Sequence, residues 1–378
     1  MIPSPHLYRL RAPSDIPLHV IDRVLEIERT QAVYGVQSVY TLGHLAQMTN
    51  TEVEYLRDIV ERRVDPYSVF EIKKRSGAAR SIAAPESRLL GVQRWMLDEI
   101  FGRMKTHDAS FAYQVGRSAP LAAARHLGAR WLVKFDLKDF FHEIDERRIY
   151  RLLRSYRYGR LTAFELARLS TRLPGTSQQW LPARYLDGSK VPRYSWFPYG
   201  SHGYQGRLGY LPQGAPSSGA IANRIALPLD ELMSEIAQEF QLTYTRYADD
   251  MVFSSSGTFA RTRVARILHA SESAVRKSGF VINTAKTQIQ APGRRLSVLG
   301  VLVDGDHLRV PKKVRSTIRW HLRGIESNGL AAHQEHARFR DIEGMLNYIY
   351  GVICYINDVD RHLAAELHAR FRTLLPPR

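Results

Sequence analysis

The chain has 378 residues, 44% of them hydrophobic and 24% charged, enough for a sizeable core in two or three compact units, and no apolar run approaches the roughly 20 residues of a membrane span. Its single cysteine, Cys354, excludes an internal disulfide or a cysteine-rich zinc site and is expected to pack in the core; with no apolar signal segment near the start, a reducing cytoplasm is the expected home. Lysine and arginine exceed aspartate and glutamate by 54 to 37, a net charge of +17 spread along the whole chain, which points to a polyanionic partner, nucleic acid before any membrane surface.

Residues 1–65 are expected to be mostly helical, because apolar positions in IDRVLEIERTQAVY and TEVEYLRDIVERRV recur every three or four residues. YSVFEIKKRSGAARSIAAP reads as two short strands joined by a basic, glycine-containing turn, and ESRLLGVQRWMLDEIFGRM as a helix. ARWLVKFDLKDFFHEI reads as a buried strand running into a turn. Residues 174–211, rich in proline, glycine and aromatics, show no periodicity. SSGAIANRIALPLDELMSEIAQEF predicts one long helix kinked at Pro228. A hairpin, YTRYADDMVFSSS, follows, then a helix over 259–278, a strand FVINTAKTQIQ, the strand pair LSVLGVLVDGDHLRV, and helices from Lys312 to Leu375.

Asp249 and Asp250 stand side by side where the YTRYADDMVFSSS hairpin turns. Two carboxylates held together in low dielectric repel by several kcal/mol unless water or a cation neutralises them. Alone, the pair is also what an ordinary solvated turn contains, and Asp136, at the end of the apolar run Trp131, Leu132, Val133 and Phe135, is also what caps a turn. Together, three acids at strand ends in a basic chain make a candidate Mg²⁺ site, since this ion uses one or two carboxylates plus substrate phosphates. Two such ions about 3.5–4 Å apart activate a 3′ hydroxyl and stabilise a leaving pyrophosphate, which is nucleotidyl transfer.

FDLKDFF, LPQGAPSSGAIANRI, TRYADD, GFVINTAKTQI and LSVLGVLV stand in the order of the palm motifs of reverse transcriptases, and the chain most resembles the retron and related bacterial defence enzymes from about Tyr67 to Arg323. The resemblance implies an α+β right-hand polymerase: an N-terminal helical extension (1–65), fingers (66–130), an antiparallel-sheet palm (131–305) with the insert 174–211, and a short helical thumb (306–378). It implies RNA-templated DNA synthesis with Mg²⁺, or Mn²⁺ as a substitute, and deoxynucleoside triphosphates. Asp136 and Asp249 are then metal ligands and Asp250 completes the catalytic cluster. Phe141 falls on the steric gate against a ribose 2′ hydroxyl, Gln213 and Gly214 on the nucleotide pocket, Lys73 and Arg80 on the triphosphate, and Lys286 on the lysine proposed to protonate pyrophosphate.

The hairpin at Leu299 and Gly300 resembles the primer grip, and Lys312, Lys313, Arg315, Arg319 and Arg323 open the thumb, several of them sharing one helical face suited to phosphates. In the insert, Trp180, Trp196 and Tyr199 interleave with Arg184 and Arg193; such a surface stacks unpaired bases, and is equally what an aromatic packing insert looks like. The expected partners are a structured non-coding RNA serving as template and primer, its cDNA product, and a toxin or effector protein encoded nearby, in an anti-phage system with no membrane component. Two family motifs are altered: AAARH has Ala122 where asparagine is usual, and VLG has Leu299 where threonine is usual. A true retron enzyme and a neighbouring defence-type enzyme both fit, and the chain is expected to carry no maturase or endonuclease part. The rival readings are template-independent nucleotide addition at the same site and a silent RNA-binding scaffold.

Overall fold

The structure, a computed structural model, describes residues 17–73, 79–173 and 208–375. Three amphipathic helices come first, α1 (Leu18–Val33), α2 (Leu42–Met48) and α3 (Val53–Val60). An antiparallel hairpin of β1 (Tyr67–Lys73) and β2 (Ala79–Pro85) follows, then α4 (Ser87–Glu99) and α5 (Ala119–Ala124). The strand β3 (Trp131–Asp136) leads to α6 (Glu146–Ser155) and α7 (Arg160–Leu169). After the undescribed segment come α8 (Ser218–Ile225), α9 (Leu227–Glu239), β4 (Thr243–Tyr247), β5 (Asp250–Ser255) and α10 (Arg261–Lys277). β6 (Gln288–Gln290) and the small hairpin β7 (Ser297–Val298) and β8 (Val301–Leu302) precede three helices, α11 (Lys312–His336), α12 (Ile342–Val359) and α13 (Arg361–Thr373).

The central sheet has the order β4-β5-β3-β6 with every pair antiparallel. Strand alternation explains its two faces. Trp131, Val133 and Phe135 of β3 and Met251 and Phe253 of β5 enter the main core, shared with the helices, and Phe135 meets Phe253 edge-on at 5.9 Å. Leu132 and Val252 face the other way, into a smaller core with Ala123 of α5 and Leu296, Val298, Val301 and Val303 of the β7–β8 region. Each such side chain contributes about 1.5–3 kcal/mol on burial, so the sheet is clamped from both sides. A right-hand polymerase palm is built in this way, and the α+β class expected from the sequence is what the structure has.

A separate core gathers Ile318, Leu322 and Ile325 of α11, Met345, Ile349, Ile353 and Ile356 of α12, and Leu367 and Phe371 of α13. It meets the palm where Tyr355 and Val359 pack on the β7–β8 core.

Three expectations need correction. The long helix over 217–240 is two helices, broken at Ala226, with Pro228 in the first turn of α9, where its missing N–H costs nothing. The strand expected over 280–290 is only Gln288–Gln290, because Thr284–Lys286 winds into a 3₁₀ turn. Cys354 is exposed rather than packed in the core: it follows Ile353, and one helical step carries it off the buried stripe of Met345, Ile349, Ile353 and Ile356. Among the described residues, no helix is long and apolar enough to cross a membrane.

Candidate active site

The turn between β4 and β5 consists of Ala248 and Asp249, with Tyr247 paired to Asp250. Ala248 is left-handed at φ 57, a conformation costing a non-glycine residue about 1 kcal/mol or more. Hydrogen bonds hold it there. The Leu137 N–H donates to the Asp249 carbonyl at 3.0 Å, tying the turn to the residue after Asp136, and Asp136 is the cross-strand partner of Asp250. Sheet register thus brings the three acids together across more than a hundred residues of chain. Burial pushes the Asp250 carboxyl up to about 6, with the charges of Asp249 and Asp136 adding to it. Asp249 is raised as well, by burial and then Asp136, against the pull of Lys286 and Arg80.

Lys286 is already in the cluster. Its Nζ donates to both carboxylate oxygens of Asp136, at 2.8 and 2.9 Å. Asn283, which the sequence reading passed over, bonds Asp136 twice: its Nδ2 donates to Oδ1 at 3.2 Å and its backbone N–H to the Asp136 carbonyl at 2.7 Å. The 3₁₀ turn that replaced the expected strand is what delivers both residues. Arg80, on β2, lies close enough to depress Asp249 electrostatically, whereas Lys73 stands at the exposed end of β1.

Phe141 packs edge-on against Phe140 at 5.6 Å and Tyr113 at 5.9 Å. Phe140 is buried core. Tyr113 was not singled out from sequence; it is left-handed at φ 56, its phenol is raised by burial and by Asp249, and a Cβ on Gly219 would collide with its ring. Gln213 and Gly214 sit against the β1–β2 hairpin, where the Ala83 N–H donates to the Gln213 carbonyl at 2.8 Å. Gly214 has φ 123, and a Cβ there would stand 2.9 Å from the Ala83 carbonyl oxygen. The close approach that this glycine permits is therefore to β2.

Beneath the Asp249 turn lies a buried network that sequence reasoning missed. Arg246 and Asp230 are both fully buried; Nε and Nη2 of the arginine donate to the two carboxylate oxygens at 2.7 and 2.6 Å. Nη1 donates to the Ala248 carbonyl and to Asn223 Oδ1, each at 3.0 Å, and Nη2 to Ser110 Oγ at 3.1 Å. The Tyr244 hydroxyl, kept protonated by burial and then by the charge of Asp230, donates to Asp230 at 2.8 Å. On the opposite face of the sheet, His126 bridges Ser254 Oγ and Thr245 Oγ1, each at 2.7 Å. It is the retained histidine of AAARH, and it staples β4 to β5.

Leu299 and Gly300 form the two-residue turn of the β7–β8 hairpin, at φ 50 and 81. Leucine is an unusual occupant of a left-handed turn position; the Tyr355 hydroxyl donates to the Gly300 carbonyl at 3.4 Å. Lys312, Lys313, Arg315 and Arg323 are exposed on α11, and Arg319, half-buried, approaches Glu366 at 3.9 Å. Trp180, Arg184, Arg193, Trp196 and Tyr199 lie outside the described residues.

Among the described residues, no three carboxylate, imidazole or thiol groups are already arranged as a cation cage. The donor set nonetheless fits a divalent ion. Two of the three acids are held above their ordinary range by burial and by one another, and the third is bridged by an ammonium, so the cluster is one that a cation stabilises.

A profile described as reverse transcriptase (RNA-dependent DNA polymerase) matches residues 72–303. The retron Mx162 reverse transcriptase of Myxococcus xanthus is 33% identical over 308 residues, 77% of this chain and 60% of that protein. The retron Mx65 reverse transcriptase of the same organism is 31% identical, with 92% of this chain and 75% of that protein covered. For the retron Ec73 reverse transcriptase of Escherichia coli the identity is 28%, over 82% and 89% respectively.

Proposed function

Because the chain belongs to the reverse transcriptase family and is of the retron type, we propose that it copies a structured non-coding RNA into cDNA from deoxynucleoside triphosphates. Enzymes of this family use divalent metal ions; here Mg²⁺ is the proposed ion, with Mn²⁺ as substitute, held by Asp136, Asp249 and Asp250. The observation that carries the reading is the convergence of these acids at one end of the sheet, with Lys286 and Arg80 beside them.

A divalent ion in such a cluster lowers the pKa of a 3′ hydroxyl and neutralises charge on the departing pyrophosphate. The chain's own residues supply the rest. Arg80 grips triphosphate oxygens through its planar fork. The Phe141 ring, backed by Phe140 and Tyr113, blocks a 2′ hydroxyl. Lys286, on leaving Asp136, offers its ammonium to the pyrophosphate. The Leu299–Gly300 turn steadies the primer, and the exposed cations of α11 track phosphates, while the aromatic residues of the 174–211 insert stack the unpaired bases that distinguish one RNA from another. The resemblance to retron and defence-type enzymes supports an anti-phage setting, with an effector protein encoded nearby.

Primer extension on an RNA template tests the reading. Asp136→Ala and Asp249→Asn are expected to abolish synthesis while leaving RNA binding within about twofold, because each removes a metal ligand and no phosphate contact. Equal loss of binding would make the acids structural.

A further inference from the structure

Four arginines, Arg23, Arg154, Arg157 and Arg160, line a cleft of about 790 Å³ between α1 and the turn joining α6 to α7. Glu26 is the one carboxylate of the lining and Ile27 the one large apolar side chain. Among the described residues, the guanidinium groups of Arg23, Arg157 and Arg160 form no ion pair or hydrogen bond, although carboxylates are close enough in sequence to have been recruited. The walls are fixed. Gln31, buried on α1, donates to the Tyr156 carbonyl at 3.2 Å, Tyr34 meets the Tyr156 ring edge-on at 5.1 Å, and Arg224 donates to the Tyr156 hydroxyl at 3.0 Å. Arg154 donates to the Tyr158 carbonyl, and Tyr158 in turn to the Gln37 carbonyl at 2.6 Å. Arg157 is held left-handed at φ 66, a conformation that costs about 1 kcal/mol or more and persists only when its surroundings impose it.

From this cleft we infer a second nucleic-acid contact: a groove that binds backbone phosphates of the template RNA outside the acid cluster. The inference rests on the polymerase reading for its choice of strand. Guanidinium forks match phosphate oxygens in pairs, and a surplus of three positive charges in a concave, pre-formed site is what a polyanion needs and a solvated face does not. A protein partner would call for an apolar anchor at the centre, which Ile27 alone does not provide.

The test uses the full chain carrying Arg23→Gln, Arg157→Gln and Arg160→Gln together; Arg154 is spared because it braces the turn. Filter binding of an RNA hairpin with a single-stranded arm is followed across a salt series, beside a DNA hairpin of the same sequence. Without these three guanidinium groups to neutralise phosphates, the log-log salt slope for RNA is expected to become shallower by about 2, at roughly 0.7 per phosphate, while the melting temperature stays unchanged; oligo(dT) extension on poly(rA) by the wild-type protein is run alongside. The single variant Arg23→Gln, on the exposed face of α1, is expected to shift the slope by about 0.7 and covers any folding defect of the triple variant. An unchanged RNA slope, or a change for DNA alone, would overturn the groove. Absence of extension in the wild type would instead sink the polymerase reading, leaving the slope to judge the groove independently.

Discussion

Replacing Arg246 with methionine removes a fully buried guanidinium that donates five hydrogen bonds of 2.6–3.1 Å. Among the described residues, Asp230 is left as a buried carboxylate with only the Tyr244 hydroxyl for company. Breaking one side of such a pair costs about 3–5 kcal/mol, a large part of the roughly 5–15 kcal/mol that holds a domain together. Adding Asp230→Leu removes the orphaned charge, and part of the loss should return, since well-packed apolar replacements of buried ion pairs are often neutral. The double variant still lacks the charged donor to the Ala248 carbonyl, a bond of about 1.5–3 kcal/mol that braces the left-handed residue before Asp249. Its kcat should therefore stay at least about tenfold down with KM little changed, as expected of a misplaced catalytic group. Urea melts and primer extension on the three proteins decide it. The reasoning fails if the single variant loses under about 1 kcal/mol, or if the double variant regains full kcat.

Phe141→Ala should admit ribonucleoside triphosphates, read by incorporation of ribonucleotides opposite RNA; unchanged discrimination would mean that the ring is only core packing. His126 is buried and held below its ordinary value, at about 4, by burial first and then by Arg125 and Lys134. The unfolded chain therefore binds the extra proton, so this residue's contribution is whole above about pH 6.5 and is lost as pH falls toward 4, by up to about 3 kcal/mol. Urea melts at pH 7 and pH 4.5 should show a smaller acid loss in His126→Leu than in the wild type, and equal losses would refute that assignment.

The acid cluster was legible because its parts are local: an acidic pair inside a short hairpin, and an acid closing an apolar strand. Register then did what alternation predicts, setting Asp136 opposite Asp250. Arg246 was readable in principle. It shares strand parity with Tyr244, on the face carrying Met251 and Phe253, and an arginine at an inward position asks for a buried acid. Which acid answers was not readable, because Asp230 arrives on a helix whose packing is set by tertiary contacts. Tyr113 and Asn283 gave no periodic signal at all: one depends on a left-handed residue packed over a glycine, the other on a 3₁₀ turn in a stretch whose composition favours a strand. Gly214 was recognised but its neighbour was not; only the packing of residues 212–214 on β2 reveals that the backbone it accommodates is the protein's own.

The central claim is that this chain copies RNA, and sequencing the product tests it most directly. Purified protein, a defined structured RNA, Mg²⁺ and the four deoxynucleoside triphosphates should yield DNA complementary to that RNA, with none formed by Asp249→Asn. DNA of a sequence unrelated to the template, or DNA still made by the Asp249→Asn variant, would contradict it.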